Sequence, residues 1–367
     1  MSDWSPRAKS TWSTLRSGVS WLNIAGASFL VLIMAGYIWM AVNRDFVTTD
    51  SANGEVSALE TIAAAITNKN APTTAYLTNA TLDALTERML AGQLGKSGRM
   101  RATFQTSGGI DPDTLPPGAQ LRYTLGTDTA ATPRRAGVWR VLIAMGKALQ
   151  PVSDFSVITM LPFEAKKSGR IGTYLIGSWP AERGAVGPKK APSDRYGNPS
   201  GFIEVTLDNR DTPVSDHFKL KDFLTKGQAN IWPKYLVLSP RLVDKLELVL
   251  KDLESRGIDT KGVFVMSGFR TPSYNSGGGE TGGRADLSRH MYGDASDIWI
   301  DNDRNGAMDD LNKDGRVDIG DARFMLESVE RVERANPELI GGTGVYRAAS
   351  GHGPFIHIDT RGYRARW

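Results

Sequence analysis

Two of the four histidines in this 367-residue sequence lie in patterns that suit a metal site. His290 precedes Asp297 by seven residues, at the start of a predicted apolar strand, and His357 lies on a second, alternating strand. The sequence contains no cysteine, so a catalytic metal would have to be held by histidine, aspartate or glutamate. Two neutral imidazoles and one carboxylate are a common zinc set that leaves a fourth position for water.

The residues around these positions form two longer motifs. Ser-x-His-x-x-Gly-x-Ala-x-Asp spans residues 288–297, and His-x-Asp spans residues 357–359. Together they resemble the zinc D-alanyl-D-alanine carboxypeptidases and dipeptidases, a family that shares its fold with murein endopeptidases and the hedgehog signalling domain. The resemblance covers residues 218–367 and implies a substrate drawn from peptidoglycan stem peptides. The residues that it assigns are the zinc ligands His290, Asp297 and His357 and the residues that support them, Ser288 and Asp359.

A third segment belongs to the same resemblance. Ser-Gly-Phe-Arg at residues 267–270 matches the family's Ser-Gly-Tyr-Arg. Arg270 would then polarise the scissile carbonyl or hold a substrate carboxylate, since a guanidinium has a permanent charge and a fork of donors. A structural salt bridge at a turn is the alternative interpretation of this arginine.

The sequence departs from the family pattern just before its last zinc histidine. Many members carry Glu, Asp or His two or three residues earlier, which takes a proton from the attacking water. Those positions here are Phe355 and Pro354, which cannot do so. His352 is the nearest substitute, and Asp359 and Asp294 are the other candidates. Without a base, the domain would bind wall peptide and not cut it.

An acidic insertion, residues 301–321, follows the strand that carries Asp297. Its second half resembles a calcium loop of the EF-hand type, and most closely a dockerin repeat, because the twelfth residue is Asp. Its first half is a weaker copy that shares residues with the second, so either one good site or two fused sites are expected. The ion would be structural calcium, and an acidic loop that is solvated without an ion is the alternative interpretation. The predicted ligands are Asp310, Asn312, Asp314, Arg316 through its backbone carbonyl, Asp318 and Asp321, with Asp301, Asp303 and Asn305 in the weaker copy.

The elements that would position these residues form a predicted α+β domain, residues 211–367. Ser239 and Pro240 begin a helix with an apolar stripe that ends at Gly257. A second helix is predicted at 322–334 after the acidic insertion. Apolar runs at 263–266, 295–300 and 355–358 predict the strands of its sheet. Residues 107–210 contain short β-like runs and predict a β-rich domain, with strands at 120–125, 138–145, 156–161, 172–179 and 202–207.

The N-terminal part of the sequence predicts a membrane anchor. No residue between Arg16 and Arg44 is charged, and the apolar run is long enough to cross a bilayer. Positive charges precede the run, which places the N-terminus in the cytoplasm. We therefore expect a single-pass protein of the bacterial cytoplasmic membrane, with its C-terminal domains in the periplasm. The predicted segments are a cytoplasmic tail (1–20), a transmembrane helix (21–43) and a helical linker (44–106).

The expected activity is hydrolysis of a peptidoglycan amide bond by a D,D-carboxypeptidase or endopeptidase. A non-catalytic cell-wall-binding or scaffolding protein that keeps the fold is the alternative, and a peptidase acting on a protein substrate is a third. The net charge of +4 selects no anionic partner, and no feature indicates nucleic-acid binding.

Overall fold

The structure, a computed structural model, describes residues 100–105, 119–145, 148–182, 194–277 and 284–367. They all belong to one unit, residues 59–367. The predicted tail and transmembrane helix, and all but the end of the helical linker, lie outside the described residues.

The described residues form three main sheets and a small hairpin, with strand orders β1-β5-β4-β2-β3, β10-β9-β6, β11-β12-β14-β13-β15 and β7-β8. The strands are β1 (Ala102–Gln105), β2 (Ala119–Leu125), β3 (Asp128–Ala130), β4 (Gly137–Met145), β5 (Ala148–Thr159), β6 (Leu161–Pro162), β7 (Arg170–Ile171), β8 (Tyr174–Leu175), β9 (Gly201–Val205), β10 (Lys234–Leu236), β11 (Val263–Ser267), β12 (Ala295–Ile300), β13 (Gly342–Tyr346), β14 (Phe355–Asp359) and β15 (Ala365–Arg366). The helices are α1 (Pro240–Ser255), α2 (Pro272–Ser276) and α3 (Ile319–Ala335).

The first sheet contains three of the strands predicted for the β-rich region. On β4 the side chains of Trp139, Val141 and Ile143 are buried at every second position, as expected for a strand with one face on a core. The second sheet joins β9 to β10, on either side of the predicted boundary at residue 210. The predicted strand at 172–179 is reduced to the two residues of β8, which pairs only with β7.

The third sheet and two helices build the region of the predicted metal site. Strands β12 and β14 are buried along their whole length. Helix α1 packs against α3, and α3 packs against β13 and β14. Lys245 on α1 and Glu333 on α3 form a fully buried ion pair at 2.7 Å between the helices. This sheet is therefore enclosed on the side that carries the helices.

The helix boundaries follow from local side-chain chemistry. Pro240 occupies the first turn of α1, while Ser239 precedes it without making a side-chain capping bond. Helix α3 begins at Ile319, three residues before the predicted start, because Asp318 and Asp321 form a reciprocal capping box there.

The predicted fold has to be corrected at its membrane anchor. Among the described residues, no helix is long and apolar enough to cross a membrane. The two long helices contain 16 and 17 residues, about 25 Å at 1.5 Å per residue, which is shorter than the hydrocarbon core. The described residues therefore do not support the predicted single-pass topology or the periplasmic location that depended on it. The fold of the described residues is α+β.

Candidate metal centre

The register of the third sheet brings the predicted ligands together. Asp297 on β12 lies opposite His357 on β14, and His357 lies opposite Gly344 on β13. Residues that are directly opposite in a sheet project from the same face, so the carboxylate and the imidazole are neighbours. His290 comes from the 3-10 helix Arg289–Tyr292, which precedes β12.

A glycine fixes the turn between His290 and β12. Gly293 has a φ of +66°, and a Cβ at this position would lie 2.1 Å from the carbonyl oxygen of Val237. Only glycine fits this left-handed conformation and this close approach without strain. The glycine of the Ser-x-His-x-x-Gly motif thus returns the chain to the sheet within the seven residues that separate His290 from Asp297.

The three ligand atoms form a small triangle. His290 Nε2 lies 3.3 Å from Asp297 Oδ1, His357 Nδ1 lies 2.8 Å from the same oxygen, and the two nitrogens are 3.2 Å apart. All three side chains are buried. Ligands of a tetrahedral zinc ion at about 2.0–2.2 Å from the metal are roughly 3.3 Å apart. The triangle therefore has about the size of one face of such a tetrahedron.

Hydrogen bonds on the far side of each ring determine which nitrogen faces the triangle. His290 Nδ1 donates to the carbonyl oxygen of Gly268 at 2.7 Å, and His357 Nε2 donates to the carboxylate of Asp359 at 3.1 Å. The inward nitrogens of the neutral rings therefore carry lone pairs and no hydrogen. Two lone pairs 3.2 Å apart beside a carboxylate need a cation between them. The residues present thus fit a divalent metal ion.

The proton affinities of the three groups reflect this arrangement. Burial opposes a charge on His357, but hydrogen bonds with Asp297 and Asp359 outweigh it and raise the pKa to about 9. Burial also opposes ionisation of Asp297, yet the two histidines hold its pKa well below the usual range. Burial lowers the pKa of His290. Without metal, a proton on His357 takes the place of the cation.

Arg270 contacts the carboxylate of Asp297 on the side away from the two histidines. Its Nη2 donates to Asp297 Oδ2 at 2.6 Å, and its Nε donates to Ser267 Oγ at 2.7 Å. The salt bridge considered as the alternative role of Arg270 is therefore present. Among the described residues, Nη1 has no hydrogen-bond partner, and the residue lines the cavity above the ligands. Arg270 can thus support Asp297 and still contact a substrate.

Asp359 is fixed by a buried network behind His357. Its carboxylate accepts from Gly342 N at 2.7 Å and from Arg361 Nε and Nη2 at 2.8 and 2.5 Å. Its carbonyl oxygen accepts from Lys245 Nζ at 2.7 Å. Burial opposes ionisation of Asp359, but its hydrogen bonds with His357 and Arg361 keep its pKa well below the usual range. Ser288, the other predicted supporting residue, lines the cavity and makes no side-chain capping bond.

The ligands lie at the floor of a cavity of about 620 Å³. His352 is in its wall, in edge contact with Phe355 at 4.9 Å between ring centres. His352 Nδ1 donates to the carbonyl oxygen of Gly353 at 2.8 Å, which leaves Nε2 with a lone pair when the ring is neutral. The structure therefore places His352, as the sequence suggested, in the same cavity as the ligands and in a tautomer that can accept a proton. Four arginines also line this cavity: Arg270, Arg284, Arg289 and Arg361.

The acidic insertion contains two turns of the same conformation. In the first acidic loop, residues 301–309, the carboxylate of Asp301 accepts the backbone N–H groups four and five residues further along, both at 3.0 Å. In the second acidic loop, residues 310–321, Asp310 accepts the corresponding groups at 3.2 and 2.8 Å. Other predicted side-chain ligands accept the backbone N–H group two residues further along: Asp303, Asn305, Asn312, Asp314 and Asp318.

Only the first acidic loop brings three carboxylates together. Asp301, Asp303 and Asp309 offer oxygens within 4.8 Å of one another, whereas the carboxylates of the second loop form no such group in the described chain. The predicted final ligand of the second loop, Asp321, is fully buried and accepts backbone N–H groups from Leu311 and Asp318 at 2.8 and 2.9 Å. The groups most able to bind a cation are thus in the half that the sequence ranked as weaker.

Two aromatic residues of the cavity were not predicted. Tyr346 and Trp367 line it together with Phe355, and Trp367 Nε1 donates to Tyr346 Oη at 2.5 Å. The sequence signal for these residues was Gly344. A glycine opposite the strand that carries His357 indicates that another side chain packs over the glycine. A Cβ on Gly344 would lie 2.3 Å from Trp367 Nε1.

The chain matches no protein-family model, no curated protein and no solved structure. The resemblance to the zinc D-alanyl-D-alanine carboxypeptidases and dipeptidases therefore depends on the motif residues alone. The described residues contain two groups that could hold a metal ion, and their geometry identifies neither ion.

Proposed function

We propose that this protein is a zinc-dependent peptidase that hydrolyses stem or cross-link peptides of peptidoglycan, as a D,D-carboxypeptidase or endopeptidase. The observation that carries the proposal is the triangle of His290, Asp297 and His357, whose lone pairs converge at the floor of a cavity. The volume of about 620 Å³ is in the range of sites that take small ligands or short peptide segments.

Each residue of the centre has a separate task. A bound zinc ion would supply a Lewis acid and lower the pKa of a water molecule. Asp359 and Gly268 hold the two imidazoles in the tautomers that bind metal. Arg270 holds the carboxylate of Asp297 in place and directs Nη1 to a carbonyl or carboxylate of the substrate. His352 Nε2 takes the proton of the attacking water and returns it to the leaving amide nitrogen.

The charge of the cavity supports an anionic substrate. Four arginines line it, and the only carboxylate among its described lining residues is Asp297. That carboxylate is already paired with Arg270 at 2.6 Å. Arg289 and Arg361 are likewise paired with Asp294 and Asp359, so Arg284 is the lining arginine without an ion pair among the described residues. Its charge can attract a peptide with a free terminal carboxylate. This character fits a stem peptide better than a neutral segment of a folded protein.

A non-catalytic wall-binding protein is the second candidate, and one observation favours it. Besides the metal ligands, His352 is the one histidine among the described lining residues, and none of the other lining residues is a carboxylate. Its ring packs on Phe355 and its Nδ1 is held by Gly353. If this ring cannot reach the water, the centre binds peptide and does not cut it.

We also propose that the first acidic loop binds calcium as a structural ion. Asp301, Asp303 and Asp309 supply the hard oxygen ligands that calcium prefers, and mutual repulsion of three carboxylates within 4.8 Å is relieved by a cation. Asp301 follows β12 directly, so the ion would fix the chain that leaves the strand of Asp297.

Product analysis tests the enzymatic proposal. The zinc-loaded protein is incubated with purified monomeric and cross-linked peptidoglycan fragments, and the products are identified by mass spectrometry. Loss of a terminal D-alanine indicates a carboxypeptidase, and conversion of dimers to monomers indicates an endopeptidase. We expect His352→Gln to lower kcat by about 10²-fold or more, the contribution of general acid–base catalysis. His217→Gln is the matched control, since His217 contacts Glu247 and lines no part of the cavity. Zinc binding without any cleavage favours the wall-binding alternative.

A further inference from the structure

Tyr346 occupies a defined place beside the metal ligands. It lies two residues after Gly344 on β13 and pairs with Phe355, while Gly344 pairs with His357. Residues two apart on a strand project from the same face, so the phenol is a diagonal neighbour of the imidazole of His357. Its ring stacks on Phe355 with 4.5 Å between ring centres and an interplanar angle of 7°.

Trp367 determines the direction of the Tyr346 hydroxyl. Its indole lies over Gly344, with its ring 5.3 Å from that of His357, and its Nε1 donates to Tyr346 Oη at 2.5 Å. An indole nitrogen can only donate, so this bond uses a lone pair of the phenol oxygen and leaves the phenol hydrogen available. Among the described residues, no group accepts that hydrogen. The backbone of Trp367 is anchored to β13 by hydrogen bonds with Thr343 O at 3.3 Å and Val345 N at 3.0 Å.

Resting on the peptidase function proposed above, we infer that Tyr346 is a further catalytic residue, which donates a hydrogen bond to the scissile carbonyl oxygen as that oxygen gains negative charge. Trp367 is its positioning residue. Such a donor is effective because it is already oriented before the reaction begins. Tyr346 lines the cavity together with Arg270 and Asp297, and the charges of these two residues act on its hydroxyl.

The phenol remains protonated throughout the step. The oxygen of water bonds to the carbonyl carbon, and the π electron pair of the carbonyl moves onto its oxygen, which Tyr346 stabilises. The pair then returns, the carbon–nitrogen bond breaks, and the nitrogen leaves with the proton that His352 took from water. Burial raises the pKa of Tyr346, so the group is a donor at neutral pH.

Tyr346→Phe tests the inference because it removes the hydroxyl and keeps the ring stacked on Phe355. We expect kcat on peptidoglycan fragments to fall by about 10²–10³-fold, the effect of losing one oxyanion donor, with KM within about threefold. Zinc content should not change. Trp367→Phe removes the orienting N–H group together with one ring of the indole and keeps the hydroxyl of Tyr346, so it should lower kcat less. Tyr363→Phe is the matched control, since Tyr363 is exposed and lines no part of the cavity.

A second readout does not depend on turnover. A phosphinate analogue of D-alanyl-D-alanine carries the tetrahedral negative oxygen of the reaction, and its affinity for the zinc-loaded protein is measured by calorimetry. Tyr346→Phe should weaken this affinity at least tenfold and leave that of the product D-alanine unchanged. Equal phosphinate affinities overturn the inference, as does an unchanged kcat. If the wild-type protein cleaves nothing, the proposed function fails, and the phosphinate comparison alone decides the role of Tyr346. If the wild-type protein does not bind the phosphinate, both proposals fail.

Discussion

Removing the metal should make the stability of this protein depend on one proton. In the metal-free protein, His357 donates from Nδ1 to Asp297 and from Nε2 to Asp359 at 2.8 and 3.1 Å, so it is an imidazolium between two carboxylates. These bonds raise its pKa to about 9, against about 6.5 in an unfolded chain. A group whose pKa is higher in the folded state contributes stability below the unfolded value. That contribution is lost as the pH rises through the folded value.

The size of the effect follows from the two pKa values. One pKa unit corresponds to about 1.4 kcal/mol, so the shift of His357 is equivalent to about 3 kcal/mol of folding free energy. Most of this contribution is still present at pH 7, and it should be gone by pH 10. Bound metal replaces the proton, so the zinc-loaded protein should lack this component of the pH dependence.

Urea unfolding of the metal-free protein at pH 7, 8, 9 and 10 measures the effect. Lysines and tyrosines also titrate in this range, so the informative quantity is the difference between the wild-type protein and His357→Gln. This difference should decrease by about 2.5 kcal/mol between pH 7 and 10, nearly linearly up to about pH 9, with half of the decrease complete near pH 8. If the difference in free energy of unfolding between the wild-type protein and His357→Gln stays constant over this range, His357 does not carry the assigned proton.

Three further outcomes follow from other contacts. Asp359→Asn should weaken zinc affinity about 10–100-fold in a chelator competition assay, because it alters the hydrogen bond that orients His357. Asp252→Asn should leave zinc affinity unchanged, since it affects an ion pair with Arg331 away from the cavity. Gly293→Ala should lower the free energy of unfolding by about 2–5 kcal/mol in urea titrations, since the new Cβ clashes with the backbone and the φ is left-handed. Gly172→Ala should lower it by only about 1–2 kcal/mol, because its φ is also left-handed but no atom lies within 4 Å of the new Cβ. Calcium at 100 times its Kd should stabilise by about 2.7 kcal/mol, so chelation should lower Tm by several degrees in scanning calorimetry; an unchanged Tm would contradict the calcium proposal.

The elements that the sequence predicted well are those with local signals. Strands β12 and β14 are short apolar runs with turn residues beside them, and α1 has a continuous apolar stripe. Its buried residues Leu242, Val243, Leu246, Val249, Leu250 and Leu253 repeat at helical spacing. His290 and Asp297 stand in one compact motif, so their proximity was predictable from the chain between them. His357 lies 60 residues after Asp297 and was grouped with them by the resemblance.

The features that the sequence did not predict depend on pairing between distant residues. Strand β13 has the sequence Gly-Thr-Gly-Val-Tyr, and glycine is a weak strand former, so nothing local indicated a strand. Its place in the sheet comes from pairing with β14 and from Trp367, which fills the space above Gly344. Gly344 becomes a signal for Tyr346 only once β13 is known to lie opposite His357, so the sequence alone did not identify this cavity residue.

The acidic insertion shows a different limit. Its second loop matches the calcium-loop spacing better, but Asp321 is used to cap α3 and to accept backbone N–H groups. Spacing along the chain records which side chains could supply an oxygen, and does not record the backbone donors that compete for it. The carboxylates that lie together belong to the first loop.

The measurement that tests the metal centre most directly is an anomalous difference map at the zinc absorption edge from crystals grown with zinc. One strong peak is expected about 2.0–2.2 Å from His290 Nε2, Asp297 Oδ1 and His357 Nδ1. Data from His357→Ala crystals treated in the same way should lack this peak. A wild-type map with no peak at these three atoms, or with zinc bound only elsewhere, would contradict the account.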